Sequence, residues 1–382
     1  MPDTNRNNVL CMGWVGQGDF GDEAMAFVLR KFLKQNGLEN LTYYHLGKYP
    51  CYQGKDDLPF SSLYSFDTPG WKKRLFDHLY LKKFAGSITG GGTVLHSYHS
   101  IAWRLEVVRR IKAAHPEAFT ASVGVSFGTL EDDEVKKACR KFLQASDLIV
   151  VRDGYSAKIA ESIAGPHNLF SSLDTSLLLP EVAPEEWGMA VSRQKEDNLV
   201  GLMFVQKKGT GEKNHFDEYL KVVDHLIDKG KRVLLLTLYV GDAYSDKELN
   251  LELKRRAKRP DLVQIHDFDG DIFETVRQLQ RCSRIVSMRL HGIIFAYLMG
   301  IPFVSLGYQR KNRDFCDSVR YPKELAVDYY AQTDLTDTLR AIDNLCEKDP
   351  AVFKDALPLD QAASLVRSNL ERLTGLLHAK NI

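Results

Sequence analysis

The sequence predicts an α/β protein: two doubly wound, Rossmann-like domains facing a cleft, with a C-terminal helix packing back. Three observations predict it. The chain has 382 residues, too many for one ordinary hydrophobic core and comfortable for two. Strand-like apolar runs alternate with helix-length amphipathic stretches, the sequence form of mostly parallel sheets. The alternation stops in a proline-, glutamate- and lysine-rich stretch, PEVAPEEWGMAVSRQKEDN, and then starts again, as expected of a linker between domains.

In the first half, residues 8–14 read as a strand and 22–35 as a helix, with a second strand at 41–45. A strand at 87–89 and a helix at 101–114 follow. Then come a strand at 121–125, a helix at 132–145, the apolar strand LIVV at 148–151 and a helix at 155–163. In the second half, strands are expected at 199–205, 232–238, 262–265 and 284–287, with helices near 217–229, 246–256 and 272–281. Residues 292–308 form the longest apolar stretch. Gly300 and Pro302 break it, and it is too short for a comfortable membrane span, so it reads as a buried helix followed by a buried strand. In the tail, Val366, Leu370, Leu373 and Leu377 are spaced along one helical face. The expected organisation is an N-terminal domain at 1–180, a linker at 181–198, a C-terminal domain at 199–355 and a terminal helix at 356–382. Two such domains facing a cleft make the GT-B-like arrangement. Ligands in these sheets gather beyond the carboxyl ends of the strands, so the loops there are where chemistry is sought.

Composition excludes some functions. The 51 basic and 50 acidic side chains leave a formal charge of +1, without the basic excess of a nucleic-acid binder; no nucleic-acid partner is expected. Cys11, Cys51, Cys139, Cys282, Cys316 and Cys346 show neither C-x-x-C nor zinc-ligand spacing. They read as small buried hydrophobes of a reducing compartment. The polar start MPDTNRNN has no signal-peptide core, so a cytoplasmic location is expected.

Gly16-Gln17-Gly18-Asp19-Phe20-Gly21 matches G-x-G-x-x-G between a strand and a helix. Asp22 and Glu23 follow at once, where a pyrophosphate would sit on the helix N-terminus. The next strand ends in His-Leu-Gly-Lys, without the ribose-binding acid expected about 20 residues on. Nicotinamide or flavin binding is therefore disfavoured. Either the acids cap the helix and favour its dipole, or Asp22 or Glu23 borders a substrate. Gly90-Gly91-Gly92-Thr93 lacks the lysine of a nucleotide P-loop. Its glycines permit a structural turn or a close approach of backbone amides to an anion.

Ser287-Met288-Arg289-Leu290-His291-Gly292 places a cation and a histidine where an apolar strand meets a helix. Such groups need partners in apolar surroundings. A lone histidine there is more often a satisfied core residue; the neighbouring cation, the strand-end position and Lys311 downstream favour function. Val151-Arg152-Asp153 repeats the pattern in the first half, with an ordinary Arg–Asp pair holding a loop as the alternative.

Ser-Met-Arg-Leu-His at 287–291 followed by Tyr308-Gln-Arg-Lys311 resembles the signature of the polysaccharide pyruvyl transferase family. So do Gly16–Glu23, Gly90–Gly92, VRDGYS at 151–156 and Leu173-Asp174, and the blocks run in family order from near residue 10 to near residue 315. Two departures stand out: Asp19 where the family usually has asparagine, and Gly124-Val-Ser-Phe-Gly128 in place of G-Q-G-x-G. Both bear on the identity of the acceptor. The resemblance implies transfer of a pyruvyl group from phosphoenolpyruvate to a sugar hydroxyl pair, forming a cyclic ketal in surface polysaccharide biosynthesis. The acceptor would be a free sugar or a lipid-linked one at the inner face of a membrane.

Phosphoenolpyruvate carries a phosphate and a carboxylate, so it calls for at least two cationic anchors. Protonation at C3 and later loss of phosphate call for one group that exchanges protons near neutral pH, which suits histidine. The resemblance assigns Arg152 and Lys311 to the donor, His291 to proton transfer and Arg289 to donor binding or support. Gly16, Gly18, Asp22, Glu23, Gly91 and Gly92 are the acceptor or loop candidates. No cofactor and no metal are expected. The competing readings are a GT-B nucleotide-sugar glycosyltransferase and a catalytically silent sugar- or anion-binding protein on the same fold.

Overall fold

The structure, a computed structural model, describes residues 8–38, 41–44, 71–72, 75, 79–128, 130, 132–165, 168–205, 215–241, 245–329, 335–347, 350–380 and 382. The His45–Lys48 stretch and Cys51 lie outside the described residues. The chain divides into two compact units. One comprises residues 1–17, 22–182 and 363–382; the other comprises 18–21 and 183–362.

In chain order the first unit contains β1 (Val9–Met12), α1 (Phe20–Gln35, from Asp22 on), β2 (Leu41–Tyr44), β3 (Gly86–Leu95), α2 (Tyr98–Ala114) and β4 (Phe119–Phe127). α3 (Asp133–Gln144), β5 (Leu148–Val151), α4 (Gly154–Ala164), β6 (Leu169–Ser171) and α5 (Leu179–Val182) complete it up to the boundary. All nine residues of β4 are buried, as befits the middle of a parallel sheet covered on both faces. The helices start where capping residues dictate. Asp132 accepts the Glu134 N–H before α3, and Asp153 accepts the Ser156 N–H before α4.

The second unit contains α6 (Pro184–Val191), β7 (Glu196–Met203), α7 (Phe216–Asp228), β8 (Arg232–Thr237), α8 (Lys247–Arg256), β9 (Val263–Asp267), α9 (Ile272–Gln280) and β10 (Cys282–Ser287). α10 (Leu290–Leu298), β11 (Phe303–Leu306), α11 (Arg310–Ser318), β12 (Ala326–Val327) and α12 (Leu335–Glu347) follow. The last helix, α13 (Leu359–Ala379), rejoins the first unit from Ala363 on. There it buries Val366, Leu370, Leu373 and Leu377, and Arg367 pairs with Glu181.

Each sheet has six parallel strands. Their orders are β2-β1-β3-β4-β5-β6 and β12-β11-β10-β7-β8-β9. The strand order reverses between β1 and β3 in the first unit and between β7 and β10 in the second. Those reversals leave a crevice beyond the carboxyl ends of the strands, where doubly wound sheets hold ligands.

Two local expectations are corrected. Residues 181–198 were expected as a linker, yet they hold the end of α5, all of α6 and the start of β7. Pro184 is at the start of α6 with Glu185 and Glu186 in its first turn, so the composition that suggests a linker equally suits a helix start. α6 packs on α9. Gly90–Gly92 were expected in a loop after the strand, but β3 runs through them to Leu95, with an irregular register opposite β4 between Gly92 and Leu95. Glycine inside a strand marks such a bulge.

Cys11, Cys139, Cys282 and Cys316 are buried, and burial pushes the thiols of Cys139, Cys282 and Cys316 up to about 12. Among the described residues no helix is long and apolar enough to cross a membrane.

Candidate active site

In the second unit the strand reversal is occupied by the Ser-Met-Arg-Leu-His turn. β10 ends at Ser287, whose hydroxyl donates to the Arg289 carbonyl at 2.8 Å, and α10 begins at Leu290. Gly292 brings this helix close to the sheet: a Cβ there would overlap Ser287 Oγ and Met203 Sδ. His291 therefore stands in the first turn of a helix pressed onto the strand reversal.

The second half of the glycine loop belongs to this same unit. The Phe20 N–H donates to the Leu238 carbonyl and the Val240 N–H to the Gly18 carbonyl, both at 2.9 Å. Asp19 bridges Tyr239. The Phe20 ring is fully buried, 5.6 Å from Phe268 and 4.7 Å from Phe295. The His291 ring lies directly against Gly21, where any Cβ would overlap it. The last glycine of the G-x-G-x-x-G pattern thus makes room for an imidazole.

Arg289 is held by Asp246, with Nε at 2.8 Å and Nη2 at 2.6 Å from Oδ2, and its guanidinium lies 5.3 Å from the Tyr239 ring centroid. Burial would lower its pKa, but Asp246, Tyr308 and Asp19 outweigh that and raise it, so the group stays charged. Asp246 occupies the N-cap position of α8 without capping it; its carboxylate is turned to Arg289 instead.

Lys311 is half-buried in the first turn of α11, its Nζ 5.4 Å from the Tyr308 ring centroid. A cation there opposes the helix dipole, an arrangement that a bound anion would favour. Next to it, fully buried Asn312 donates from Nδ2 to the Met288 carbonyl at 2.9 Å. That bond ties the start of α11 to the turn carrying Arg289 and His291.

In the first unit Arg152 is buried, with Nη1 2.7 Å from Asp174 Oδ2 and Nε 2.7 Å from Ser126 Oγ. Ser126 in turn donates to Asp153 Oδ2 at 2.7 Å. Asp174 also accepts the Ser176 N–H and hydroxyl. Glu23 is buried and accepts the Gly16 N–H at 2.6 Å, closing the glycine turn. A Cβ on Gly92 would come within 2.7 Å of Asp22 Oδ1, so the bulge in β3 and the start of α1 fit closely. Met12, Trp14, Asp22, Met25, Gly91 and Thr175 help line a cavity of about 20 Å³ at this reversal, room for one water and not for a sugar.

The structure therefore brings Gly18–Gly21, Arg289, His291 and Lys311 into one unit, and Gly16, Asp22, Glu23, Gly91, Gly92 and Arg152 into the other. Asp246, Asp174 and Asn312 were not among the sequence candidates. Asp246 reads as a helix cap and Asn312 as an ordinary polar residue; only Leu173-Asp174, as a family block, carried a signal.

Two doubly wound six-stranded parallel sheets define the GT-B-like fold class. Methanocaldococcus jannaschii UDP-GlcNAc 2-epimerase, solved with UDP-GlcNAc and UDP, is similar in fold: TM-score 0.60 and 11% identity over 94% of this chain and 98% of that one. So is Neisseria meningitidis UDP-GlcNAc 2-epimerase bound to UDP-GlcNAc, with TM-score 0.56 and 11% identity over 96% and 100%. A Medicago truncatula protein complexed with UDP-glucose matches with TM-score 0.55 and 13% identity over 98% and 99%. At these identities the likeness is one of fold. The family is given by sequence: the model of the polysaccharide pyruvyl transferase family matches residues 19–310, and the chain belongs to that family. No curated protein matches it. The family match starts after Gly18 and stops one residue before Lys311.

Proposed function

We propose that the protein transfers the pyruvyl group of phosphoenolpyruvate to two hydroxyls of one sugar, forming a cyclic ketal and releasing phosphate. The observation that carries this reading is the turn at the second strand reversal, where His291 is seated on Gly21 beside the Asp246-paired Arg289 and tied through Asn312 to the helix bearing Lys311. Family membership supports a transferase acting in polysaccharide biosynthesis.

In this reading His291 gives a proton to C3 of the enol, leaving an oxocarbenium ion at C2. A sugar hydroxyl adds to C2 and returns a proton to the imidazole. Phosphate leaves with the proton held by the imidazole and restores the cation; the second hydroxyl then closes the ring and gives its proton to the imidazole, which regains its starting state. The atoms balance: one phosphoenolpyruvate and one diol give one ketal and one phosphate. Lys311 meets the donor's phosphate or carboxylate, and Arg289, paired with Asp246, braces the turn. Arg152, in the other unit, keeps a donor role as a separate proposal with its own test in the Discussion.

Donor choice separates this reading from a nucleotide-sugar glycosyltransferase. Calorimetric titration should show binding of phosphoenolpyruvate that weakens roughly one to two decades in Lys311→Ala, the loss of a charge-assisted contact worth about 1.5–3 kcal/mol. Tight binding of UDP-glucose without binding of phosphoenolpyruvate would transfer the case to the glycosyltransferase.

A further inference from the structure

Arg104 lies two turns into α2 in the first unit, 4% exposed. Nη1 donates to the Ser100 carbonyl at 2.9 Å and to Ser100 Oγ at 2.7 Å. Nε is buried and makes no hydrogen bond, and no carboxylate pairs with the guanidinium among the described residues. The other two buried arginines named above differ in this respect, Arg152 pairing with Asp174 and Arg289 with Asp246. Burial brings Arg104 down to about 10, and no acid among the described residues acts against it. A charge in that state is costly to keep, and a leucine or methionine would fill the space without the penalty.

The surroundings add a polar side chain and a helix N-terminus. His96 is close enough for the Arg104 charge to act on it: partial burial first, and then Arg104, lower its pKa, so near neutral pH it is an uncharged imidazole able to donate one N–H. Gly128 makes room for it, since a Cβ there would come within 2.6 Å of His96 Cβ. Ser97 caps α2, whose N-terminal end carries the positive pole of a 17-residue helix. With Nη1 spent on Ser100, the edge left to the guanidinium is the Nε–Nη2 fork, whose two parallel N–H groups match an oxyanion bidentately.

We propose that the Nε–Nη2 edge of Arg104, with His96 and the first turn of α2 beside it, binds an oxyanion, either a phosphate or a carboxylate. Extended to the transferase, a reading that rests on the proposed function, the anion is a charged group carried by the acceptor glycan. The anion site itself does not depend on that reading.

Inorganic phosphate and, separately, acetate are titrated into the full chain and into Arg104→Gln and Arg104→Lys, with affinity and melting temperature recorded. Lys311 and His291 are unchanged in all three proteins, so the differences isolate Arg104. Arg104→Gln should weaken binding of one of the two anions at least tenfold. Its melting temperature without ligand should fall little, because the buried charge is lost together with its Ser100 bonds and its contact 4.9 Å from the Trp103 ring centroid. Arg104→Lys, with charge but no fork, should fall between, and it supplies the comparison if the glutamine variant does not fold. Loss confined to phosphate identifies a phosphate group, and loss confined to acetate a carboxylate. Equal affinities for both anions in the parent and the variants would overturn the proposal. Arg104-dependent binding in a protein that transfers no pyruvyl group would sink the transferase reading alone, and active transfer without Arg104-dependent binding would sink this one alone.

Discussion

His291 and Gly21 are a matched pair, since the ring lies where a Cβ on Gly21 would be. If His291 moves the proton, His291→Gln should lose about two to four orders of magnitude in turnover. Glutamine keeps hydrogen-bonding capacity but does not exchange protons near neutral pH. Melting temperature and donor affinity should stay near the parent's, whereas a folded glutamine variant with parental turnover would remove His291 from the mechanism. Gly21→Ala should force the ring aside. The expected result is loss of turnover with about 1–3 kcal/mol of lost stability, the usual effect of overpacking, read by denaturant unfolding beside the assay. An alanine variant with parental stability and activity would show that the ring is not held there. At this scale the place of Arg289 and His291 at a strand-to-helix turn was legible in the sequence, because ionisable residues in an apolar run stand out. Asp246 was not: a helix-capping aspartate and a counterion for arginine look alike until the chain folds.

Elements defined by apolar runs, such as β4, β5, β10 and α10, were legible because a buried parallel strand or helix has few polar alternatives. The short strands β6 and β12 and helix α6 were not, since a few residues carry little periodicity and α6 is composed like a linker. The strand ends of the first unit are joined through Arg152. Its bonds to Asp174 and Ser126 link the end of β5 to the segment after β6 and to β4. Breaking a buried pair from one side costs about 3–5 kcal/mol. Asp174→Asn should therefore lower stability on that order, measured by chemical unfolding. Arg152→Lys, which keeps the charge, tests the donor role: phosphoenolpyruvate affinity should fall beyond any change in stability. Unchanged donor affinity in folded Arg152→Lys would leave Arg152 as the tie that holds these strand ends.

Across the whole molecule, two doubly wound units were legible from length and alternation. The assignment of Gly18–Gly21 to the second unit was not, because it depends on backbone bonds to residues 238–240 more than 200 positions away. The C-terminal helix was legible from Val366, Leu370, Leu373 and Leu377, all buried in the first unit. Fold is shared with proteins solved with UDP-sugars, so fold does not choose the donor. The most direct test incubates the purified full chain with phosphoenolpyruvate and a panel of free and lipid-linked glycosides, following released phosphate and the mass of each glycoside. The account predicts one phosphate released for each pyruvate ketal gained, with neither product formed by His291→Gln. Transfer of a glycosyl group from a nucleotide sugar, with no glycoside gaining pyruvate, would contradict it.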